Sequence, residues 1–438
     1  MKRVLLIDGN SLLFRAFYAT FYGGGMVLTS KEGVPTNAIY SFSNMLTHLL
    51  KTKYDYNLVA FDPHKPTFRH LKYDDYKAGR SETPQELLIQ FPLAKEMLKL
   101  MGLFPYELEG YEADDIIGTM ARISKEKGYQ VDIFSGDRDL LQLIDDNVTV
   151  NLTKKGVTEL KKMTKEALKE EMGIEPLQII DLKSLMGDKS DNIPGVKGVG
   201  EKTALKLLEE YQTLENVLEH IDEIKGKLKE KIETYKEDAI MSKDLATIYQ
   251  EVPLTFDYEE CAYNGKNSEE LNNFYKKYDM NSLISYEEIK EDEFKFETVK
   301  EIKTDAKKLA LYLDINGDNY HCDDILGLGV SDGVNNYFIN FEDLMLNNAF
   351  LSDNSIEKVC FDKKKLQVIL TNHNIKFSNL TDDFMLMSYL IDSSVKDDIN
   401  LIFNLFNEYV FKEKNSITYI PKVAYLTFKH FDDALTKL

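Results

Sequence analysis

The stretch YQVDIFSGDRD (129–139) is a run of β-favouring residues that ends in two acids two positions apart. Two earlier stretches have the same form, VLLID (4–8) and NLVAFD (57–62). Short apolar runs ending in acid are typical of a parallel sheet whose carboxyl edge holds a site. Residues 1–180 alternate such strand-like runs with helix-like runs, and therefore predict an α/β fold.

The pattern also predicts where the elements lie. Strands are expected at 4–8, 57–62, 104–107, 130–135 and, as the sheet edge, 148–152; helices at about 11–20, 36–51, 84–101, from 112 and at 138–144, with a glycine-rich turn at Gly23–Gly25. Residues 174–250 look all-helical, and the acidic run 286–301 is the expected linker. Alternating patterns return in 306–438, with strands expected at 309–315, 324–330 and 336–341.

Nine carboxylates lie near predicted chain turns of the first 191 residues: Asp8, Asp62, Glu112, Asp114, Asp115, Asp137, Asp139, Asp188 and Asp191. So many like charges converge only where cations neutralise them, because each carboxylate raises the pKa of its neighbours. Hard oxygen ligands favour Mg²⁺ or Mn²⁺. The pattern predicts a divalent-metal phosphodiesterase that acts on nucleic acid.

Two of the acidic motifs also have ordinary interpretations. In YEADD (111–115), all three acids reach one site only if Glu112 lies at or before the first helical turn, and otherwise they are N-terminal helix acids that favour the dipole. In SGDRDL (135–140), an extended turn points both aspartates the same way, but an Asx turn with a helix N-cap fits equally well.

The segment GDKSDNIPGVKGVGEKTA (187–204) predicts a hairpin turn that opens a helix at about 201. Its glycines allow backbone N–H groups to approach phosphate closely, and its lysines add positive charge without reading bases. The candidate DNA-binding residues are Gly195, Lys197, Gly198, Gly200, Lys202 and Lys206. The alternative is a purely structural helix-hairpin-helix turn.

The stretch HKPTFRHLKYDDYKAGR (64–80) interleaves cations with aromatic rings. Stacking faces beside positive charge suit single-stranded nucleic acid, although a solvated amphipathic helix is the alternative. The residues of interest are Lys65, Arg69, Lys72, Lys77 and Arg80, with Phe68, Tyr73 and Tyr76.

The net charge of −20 argues against nucleic acid at first sight. Residues 1–286 carry 47 acidic and 37 basic side chains, however, so without the nine site carboxylates their net charge is only −1. No apolar stretch approaches the roughly 20 residues of a membrane span, and the N-terminus does not resemble a secretory signal. The three scattered cysteines predict neither disulfides nor a zinc site. A cytoplasmic chain that binds DNA through local basic patches is expected.

The motifs quoted above, together with GNSLLFRAFYA (9–19) and GVPTNAIYSF (33–42), closely resemble the 5′-nuclease domain of bacterial DNA polymerase I, a member of the flap endonuclease family. The resemblance runs in order through about 1–285. It implies a PIN-like 5′-nuclease fold at 1–173, with a mostly parallel sheet and a helical arch. It also implies a helical DNA-binding region at 174–285 that contains a helix-hairpin-helix module at 187–210.

The resemblance also implies roles for individual residues. The first five of the nine acids match the catalytic-metal group, and Asp137, Asp139, Asp188 and Asp191 match the group for a second ion. Lys77, Arg80 and Tyr76 match arch residues that clamp the 5′ strand, and Arg15 matches a phosphate-contacting arginine. The hairpin would hold K⁺ through backbone carbonyls. Gly23–Gly25 departs from the family, where an aliphatic, proline-bearing loop is expected.

Residues 302–438 resemble the ribonuclease-H-like 3′–5′ exonuclease domain of the same polymerases in an inactive, truncated form. Asp314 is followed by Asn316 where an active domain has Asp-x-Glu, FDKKKLQVIL (361–370) has lysines at the next motif, and Asp383 remains alone. Two-metal chemistry is not expected there. The chain stops before a polymerase palm.

The activity implied is hydrolysis of DNA phosphodiesters by a two-metal mechanism, by a monomer that acts on 5′ flaps, nicks or RNA primers beside replication and repair proteins. Two alternatives remain. A PIN-type ribonuclease would cleave single-stranded RNA without needing a duplex, and a non-catalytic DNA-junction-binding module would bind flaps without turnover.

Overall fold

The computed structural model describes residues 1–21, 28–153, 160–284, 294–317, 319–393, 395–406, 408, 410 and 417–438. The chain divides into two compact units, Met1–Ile284 and Ser285–Leu438. The predicted turn Gly23–Gly25 and the first half of the predicted linker, 286–293, lie outside the described residues.

The first unit is built on a six-stranded sheet in the order β3-β2-β1-β4-β5-β6. All neighbouring strands are parallel except β5 and β6, which are antiparallel. The strands are β1 Arg3–Asp8, β2 Tyr56–Ala60, β3 Pro105–Tyr106, β4 Gln130–Ser135, β5 Val148–Thr153 and β6 Leu160–Met163. All five predicted strands lie within a residue or two of their expected positions. The prediction that 148–152 is the sheet edge is wrong, because β6 pairs with it on the outer side.

Helices cover both faces of this sheet and form the region after residue 164. They are α1 Gly9–Phe21, α2 Asn37–Leu49, α3 Phe68–Lys72, α4 Gln85–Leu88, α5 Gln90–Leu100, α6 Ala113–Glu126, α7 Lys165–Met172, α8 Gln178–Met186, α9 Glu201–Tyr211, α10 Leu214–Glu219, α11 Lys227–Thr234, α12 Lys236–Ala246 and α13 Ser268–Lys277. Two large apolar clusters hold the unit together. One contains the β1 side chains Val4 and Leu6, and the other contains Leu5 and Ile7. The sheet is therefore buried on both faces, as a parallel sheet requires.

Two helix predictions need correction. The expected helix 138–144 is a short 3₁₀ helix, Asp139–Leu143, which begins at an Asx turn where Asp139 N–H donates to Asp137 Oδ1 at 2.9 Å. The expected helix 84–101 is two helices, α4 and α5, that meet at Ile89. The region 174–250 contains no strand among its described residues, in agreement with the all-helical prediction.

The chain order of the strands positions the site. From β1 the chain moves outward to β2 and β3, then returns to β4 on the other side of β1. The carboxyl ends of β1 and β4 therefore flank the point where the strand order reverses, which is where α/β sheets bind ligands. Asp8 ends β1, and Asp137 follows β4 directly.

The second unit contains another six-stranded sheet, in the order β12-β11-β8-β9-β10-β7. Strand β9 is antiparallel to both neighbours, whereas β8, β11 and β12 run parallel. The strands are β7 Glu297–Thr298, β8 Lys308–Ile315, β9 Ile325–Ser331, β10 Asn336–Asn340, β11 Glu357–Cys360 and β12 Leu380–Asp383; the helices are α14 Phe341–Leu346, α15 Ala349–Ser352, α16 Lys363–Asn372, α17 Phe384–Ile391, α18 Ile399–Asn404 and α19 Tyr419–Lys437. The three strands predicted here lie where they were expected.

Among the described residues, no helix combines the length and the apolar character that a membrane crossing requires.

Candidate acidic site and nucleic-acid interface

Five of the predicted carboxylates act on one another at the carboxyl edge of the sheet. Burial is the main cause that raises the pKa of Asp114 well above its ordinary value, and the charges of Asp137, Asp8, Asp62 and Asp139 raise it further. Burial likewise raises the pKa of Asp8 to about 7, with Asp62 and Asp137 contributing. These acids come from four separate parts of the chain, and the fold brings them to one place.

The strand ends and one helix start fix this group. Asp8 accepts hydrogen bonds from Ser135 Oγ at 2.6 Å and from the backbone N–H of Ser11 at 2.9 Å. Asp62 accepts from the N–H of Ala113 at 2.8 Å, so it caps the first turn of α6. Asp114 belongs to that same turn. The positive end of α6 therefore points into the acidic group and stabilises negative charge there.

Glu112 lies at the N-cap of α6, which is the position that allows the YEADD acids to face a common site. Lys77 Nζ lies 2.9 Å from Glu112 Oε1. Burial alone would raise the pKa of Glu112, but Lys77 and Arg69 outweigh it and hold this pKa below its ordinary value. Glu112 is therefore ionised and held by the protein's own cations.

Residues 64–80, here called the arch segment, contact the acids on this side of the site. Tyr76 Oη lies 3.2 Å from both Glu112 Oε2 and Asp191 Oδ2 and can donate its one hydrogen to either, so it joins acids that lie 79 positions apart in the chain. Arg80 pairs with Asp191. The backbone N–H of Lys77 donates to the Asp191 carbonyl at 2.8 Å. Lys77 has φ +58°, a conformation unusual for a lysine that the surrounding contacts must hold in place.

A cleft of about 490 Å³, here called the second cleft, adjoins the acidic group. It shares Asp137 and Asp139 with that group and also contains Arg15 and Asp188. Lys183 lies between Asp139 and Asp188 and pairs with both. Burial would lower the pKa of Lys183, but Asp139 and Asp188 raise it above its ordinary value. The lining residues are Ser11, Arg15, Gly136, Asp137, Arg138, Asp139, Lys183, Asp188 and Ser190. Arg15 thus lies beside the group predicted for a second ion.

The structure separates Asp115 and Arg69 from this open site. The Arg69 guanidinium donates to both Asp115 oxygens, at 2.7 and 2.8 Å, and neither side chain is more than 3% exposed. Arg69 also donates to the carbonyls of Leu245 and Thr247. Breaking such a buried pair by removing one partner costs about 3–5 kcal/mol, and Arg69 links α6 to the last turn of α12 and the residue that follows it. The DNA-contacting role predicted for Arg69 is incompatible with this burial.

Tyr76 needs the same correction. Its side chain is 4% exposed and is used to join Glu112 and Asp191, so in this structure it offers no stacking face to a nucleic acid. Within the basic-aromatic stretch, Arg69, Tyr76 and Lys77 turn inward towards buried acids, whereas Lys65, Lys72 and Arg80 stay exposed. Only α3, of five residues, is helical between residues 64 and 80.

Lys183 is a residue that the sequence analysis missed. It lies on α8, five positions before Asp188, and only the tertiary packing shows that it also contacts Asp139. Asn10 was missed as well: its side-chain oxygen accepts from the N–H of Asp62 at 3.1 Å. The sequence signal that could have indicated both residues is a polar side chain close to a site acid along the chain: Asn10 is two positions after Asp8, and Lys183 is five positions before Asp188.

The predicted hairpin is present and tightly built. Gly195 has φ +58°, and a Cβ built on it would lie 2.2 Å from the backbone nitrogen of Gly187, so only glycine fits. The N–H of Gly195 donates to Ser242 Oγ at 2.9 Å. The other candidate hairpin residues, Lys197, Gly198, Gly200, Lys202 and Lys206, are exposed. The hairpin therefore presents three lysines to solvent at the start of α9.

The donor set fits divalent cations. Four of the nine carboxylates have a raised pKa, mainly because they are buried and further because other acids lie beside them. In the described ranges no three of them form a ready coordination shell, because Lys77, Arg80 and Lys183 lie among them instead. Bound ions would take over that neutralisation.

These raised pKa values predict the pH dependence of stability. The pKa of both Asp8 and Asp139 is raised from 3.8 to about 7. Between those values the folded chain binds more protons than the unfolded chain, so its unfolding free energy falls as pH rises, by on the order of a few kcal/mol. In calorimetry with EDTA, we expect the melting temperature of the first unit to drop between pH 5 and 7.5.

Mg²⁺ should reduce that drop by supplying the missing positive charge at neutral pH. The matched comparison is the same scan with Asp114→Asn, in which the pH dependence should be weaker. A melting temperature that rises over this pH range in EDTA would contradict the assignment of a like-charge cluster.

The first unit has a buried acidic cluster at the switch point of its mostly parallel sheet and a lysine-bearing hairpin beside it. This combination is typical of α/β phosphodiesterases that act on nucleic acid. Residues 3–173 match the family model for the 5′–3′ exonuclease N-terminal resolvase-like domain, and residues 174–269 match the model for the 5′–3′ exonuclease C-terminal SAM fold. The chain belongs to the 5′–3′ exonuclease family. Residues 311–417 match the ribonuclease H-like domain of DNA polymerase I.

Curated relatives agree. The chain is 42% identical over 405 residues to DNA polymerase I of Bacillus caldotenax, with 89% of this chain and 46% of the relative covered. It is 40% identical over 419 residues to DNA polymerase I of Streptococcus pneumoniae strain R6, with 93% and 47% covered. The chain thus spans about half the length of the curated relatives it matches.

Solved structures that match part of the chain include a zinc-bound T5 5′-exonuclease, at 22% identity and a TM-score of 0.46, where the match covers 65% of this chain and 100% of the T5 chain. The catalytic core of Rad2 in complex with a DNA substrate matches at 15% identity and a TM-score of 0.45, covering 65% and 91%.

Proposed function

We propose that residues 1–284 hydrolyse DNA from its 5′ side, as a structure-specific 5′–3′ exonuclease and 5′-flap endonuclease that uses two or more Mg²⁺ or Mn²⁺ ions. The observation that carries this proposal is the group Asp8, Asp62, Asp114, Asp137 and Asp139 within the 5′–3′ exonuclease domain. These five acids at the sheet's carboxyl edge have fewer cations beside them than charges to neutralise, which fits hard divalent ions better than nucleophile-based chemistry.

The proposed metal-holding residues are Asp8, Asp62, Glu112, Asp114, Asp137, Asp139, Asp188 and Asp191. Asp115 is left out because Arg69 binds both of its oxygens. When bound, the ions would activate the attacking water and neutralise charge on the scissile phosphate. We do not propose K⁺ at the hairpin, because Lys231 already donates to the Gly198 carbonyl.

The chain's own cations then have defined tasks. Lys77 and Arg80 pair with Glu112 and Asp191, so they lie at the rim of the acidic group. Once those acids are neutralised, both cations are available to stabilise negative charge on the phosphate. Arg15, which lines the second cleft, is positioned to contact a neighbouring phosphate. The exposed hairpin lysines would hold the duplex by its backbone.

The second unit is proposed to be inactive as a nuclease. Asp314 accepts a hydrogen bond from Tyr312 Oη at 3.2 Å, and Asp383 accepts from the N–H groups of Lys363 and Leu386 as the N-cap of α17. Each acid thus has a structural task, and the partner acids of a two-metal site are missing from the motifs. A scaffolding role is what these contacts support.

One assay tests both proposals: the chain is incubated with a 5′-flap duplex labelled at both ends, with Mg²⁺ and with EDTA. We expect short 5′-labelled products that require Mg²⁺, each with its matching 3′-labelled remainder, and no release of the 3′ label as a mononucleotide. Cleavage of single-stranded RNA without a duplex would favour a PIN-type ribonuclease. Tight flap binding without turnover would favour a junction-binding module, and metal-dependent 3′ mononucleotides would contradict the inactivity of the second unit.

The biological setting follows from this activity. We propose that the protein acts as a monomer in the cytoplasm, where it removes flaps and RNA primers during DNA replication and repair, alongside other proteins of those processes. The curated relatives are DNA polymerase I proteins, which supports this setting.

A further inference from the structure

Helix α11 places a lysine directly on the hairpin. Lys231 Nζ donates a hydrogen bond to the carbonyl of Gly198 at 2.9 Å. Gly198 has φ +83°, and a Cβ built on it would lie 2.7 Å from Lys231 Nζ and 3.2 Å from its Cε. The end of the lysine side chain therefore lies over the glycine and reaches the outermost carbonyl of the turn.

Apolar packing holds this lysine in position. The next residue, Ile232, is fully buried and belongs to the same cluster as Val196 and Val199, which stand on either side of the hairpin turn. Lys231 itself is half-buried. The backbone that carries Lys231 is therefore fixed beside the hairpin, and the ammonium reaches the turn through its hydrogen bond to Gly198.

Three hairpin carbonyls already have partners within the protein. The carbonyl of Ile193 accepts from the N–H of Asp188 at 2.9 Å, and that of Val196 accepts from the N–H of Val199 at 3.0 Å. The Gly198 carbonyl already receives Lys231. A second cation at this carbonyl would lie beside a permanent positive charge, which is unfavourable at such short range.

We infer that Lys231 is the hairpin's own cation: it binds the Gly198 carbonyl with one N–H and directs its charge and remaining donors at a phosphate of duplex DNA. An ammonium has three donors, so one hydrogen bond to the hairpin leaves two for a ligand. The exposed Lys197 and Lys202 flank the same turn. The hairpin then grips DNA without any monovalent metal ion. This inference rests on the proposed DNA-binding role of the hairpin.

The first test compares cations. Binding of the full chain to a fluorescent duplex is measured by anisotropy in EDTA, which prevents cleavage, at equal ionic strength in KCl, NaCl and tetramethylammonium chloride. We expect the Kd to agree within about twofold in all three salts, because bulk counter-ion release depends on charge and not on ion identity. Binding that is several-fold tighter in KCl than in tetramethylammonium chloride would overturn the inference.

The second test compares lysines. Lys231→Gln should lower the slope of log Kd against log salt concentration by about 0.9 and weaken binding roughly 5–10-fold at moderate salt, as expected for one lost phosphate contact. Lys231→Arg should retain the slope. The matched control is Lys229→Gln, on the same helix, because Lys229 pairs with Asp222 at 2.6 Å and its change should leave the slope as it is. Melting curves check that each variant is folded.

Lys202→Gln separates the two possible failures. If it lowers the slope while Lys231→Gln does not, DNA contacts the hairpin without using Lys231, and the inference fails alone. If neither change affects the slope, the hairpin does not hold DNA, and the hairpin part of the proposed function fails as well. Flap cleavage with Mg²⁺ tests the proposed chemistry independently of both outcomes.

Discussion

Asp114→Asn is expected to slow flap cleavage at least about a thousand-fold, which corresponds to about 4 kcal/mol of transition-state stabilisation. Asp114 is the acid on which the charges of Asp8, Asp62, Asp137 and Asp139 all act. Asparagine has nearly the same shape but carries no charge, so it weakens the attraction of this group for divalent ions. The measurement is single-turnover cleavage of a 5′-flap duplex in Mg²⁺.

The same substitution should not harm the fold. Without metal, Asp114→Asn removes a repulsive charge from a crowded acidic group, so the melting temperature in EDTA should stay the same or rise. Stabilisation by added Mg²⁺ should become smaller. The matched control is Asp146→Asn, because Asp146 is an exposed acid whose partner is Lys165, outside the site. Wild-type turnover of Asp114→Asn in Mg²⁺ would reject the assignment of the acidic group.

The sheet and its acids could be predicted from the sequence because both follow from local patterns. Apolar runs of strand length end in acid at residues 8, 62 and 137, and parallel strands bring their carboxyl ends to one edge. The glycine spacing of 187–204 similarly predicted the hairpin and the start of α9. The edge strand was placed wrongly, because LKKM (160–163) does not alternate apolar and polar residues and was not recognised as a strand. In the structure it pairs antiparallel with β5 and forms the edge of the sheet.

The partners of the acids could not be predicted, because they depend on which surfaces of distant elements meet. Arg69 and Asp115 are 46 positions apart, and their pairing is visible only once the arch segment packs on α6. From the sequence, Arg69 looked like its exposed neighbours Lys65 and Lys72. Lys183 is a similar case, since α8 carries it towards both Asp139 and Asp188. A charge pattern indicates where cations lie along the chain. It does not indicate which of them face solvent and which of them pair with a buried acid.

Lys77→Ala is expected to slow single-turnover cleavage by about 10²–10³-fold, or about 2.7–4 kcal/mol, as for the loss of one group that stabilises developing charge. Lys77 is the cation closest to Glu112, and its side chain is only 17% exposed, so little water could replace it. Alanine keeps a Cβ at this positive-φ position and changes the backbone little. Duplex affinity should change much less than the rate, because the exposed hairpin lysines make the proposed backbone contacts.

Two variants decide whether this effect belongs to Lys77 itself. Lys72 belongs to the same segment and pairs with Asp244, which lies outside the site; the distance from Nζ to Oδ2 is 2.7 Å. The Lys72→Ala variant should therefore cleave at the rate of the wild type. Lys77→Arg keeps the charge but not the compact ammonium that fits against Glu112, so it should recover only part of the rate. If Lys77→Ala cleaves within about threefold of the wild-type rate, the Lys77–Glu112 pair is only a structural contact. Arg80 and the metal ions would then stabilise the charge on the phosphate without Lys77.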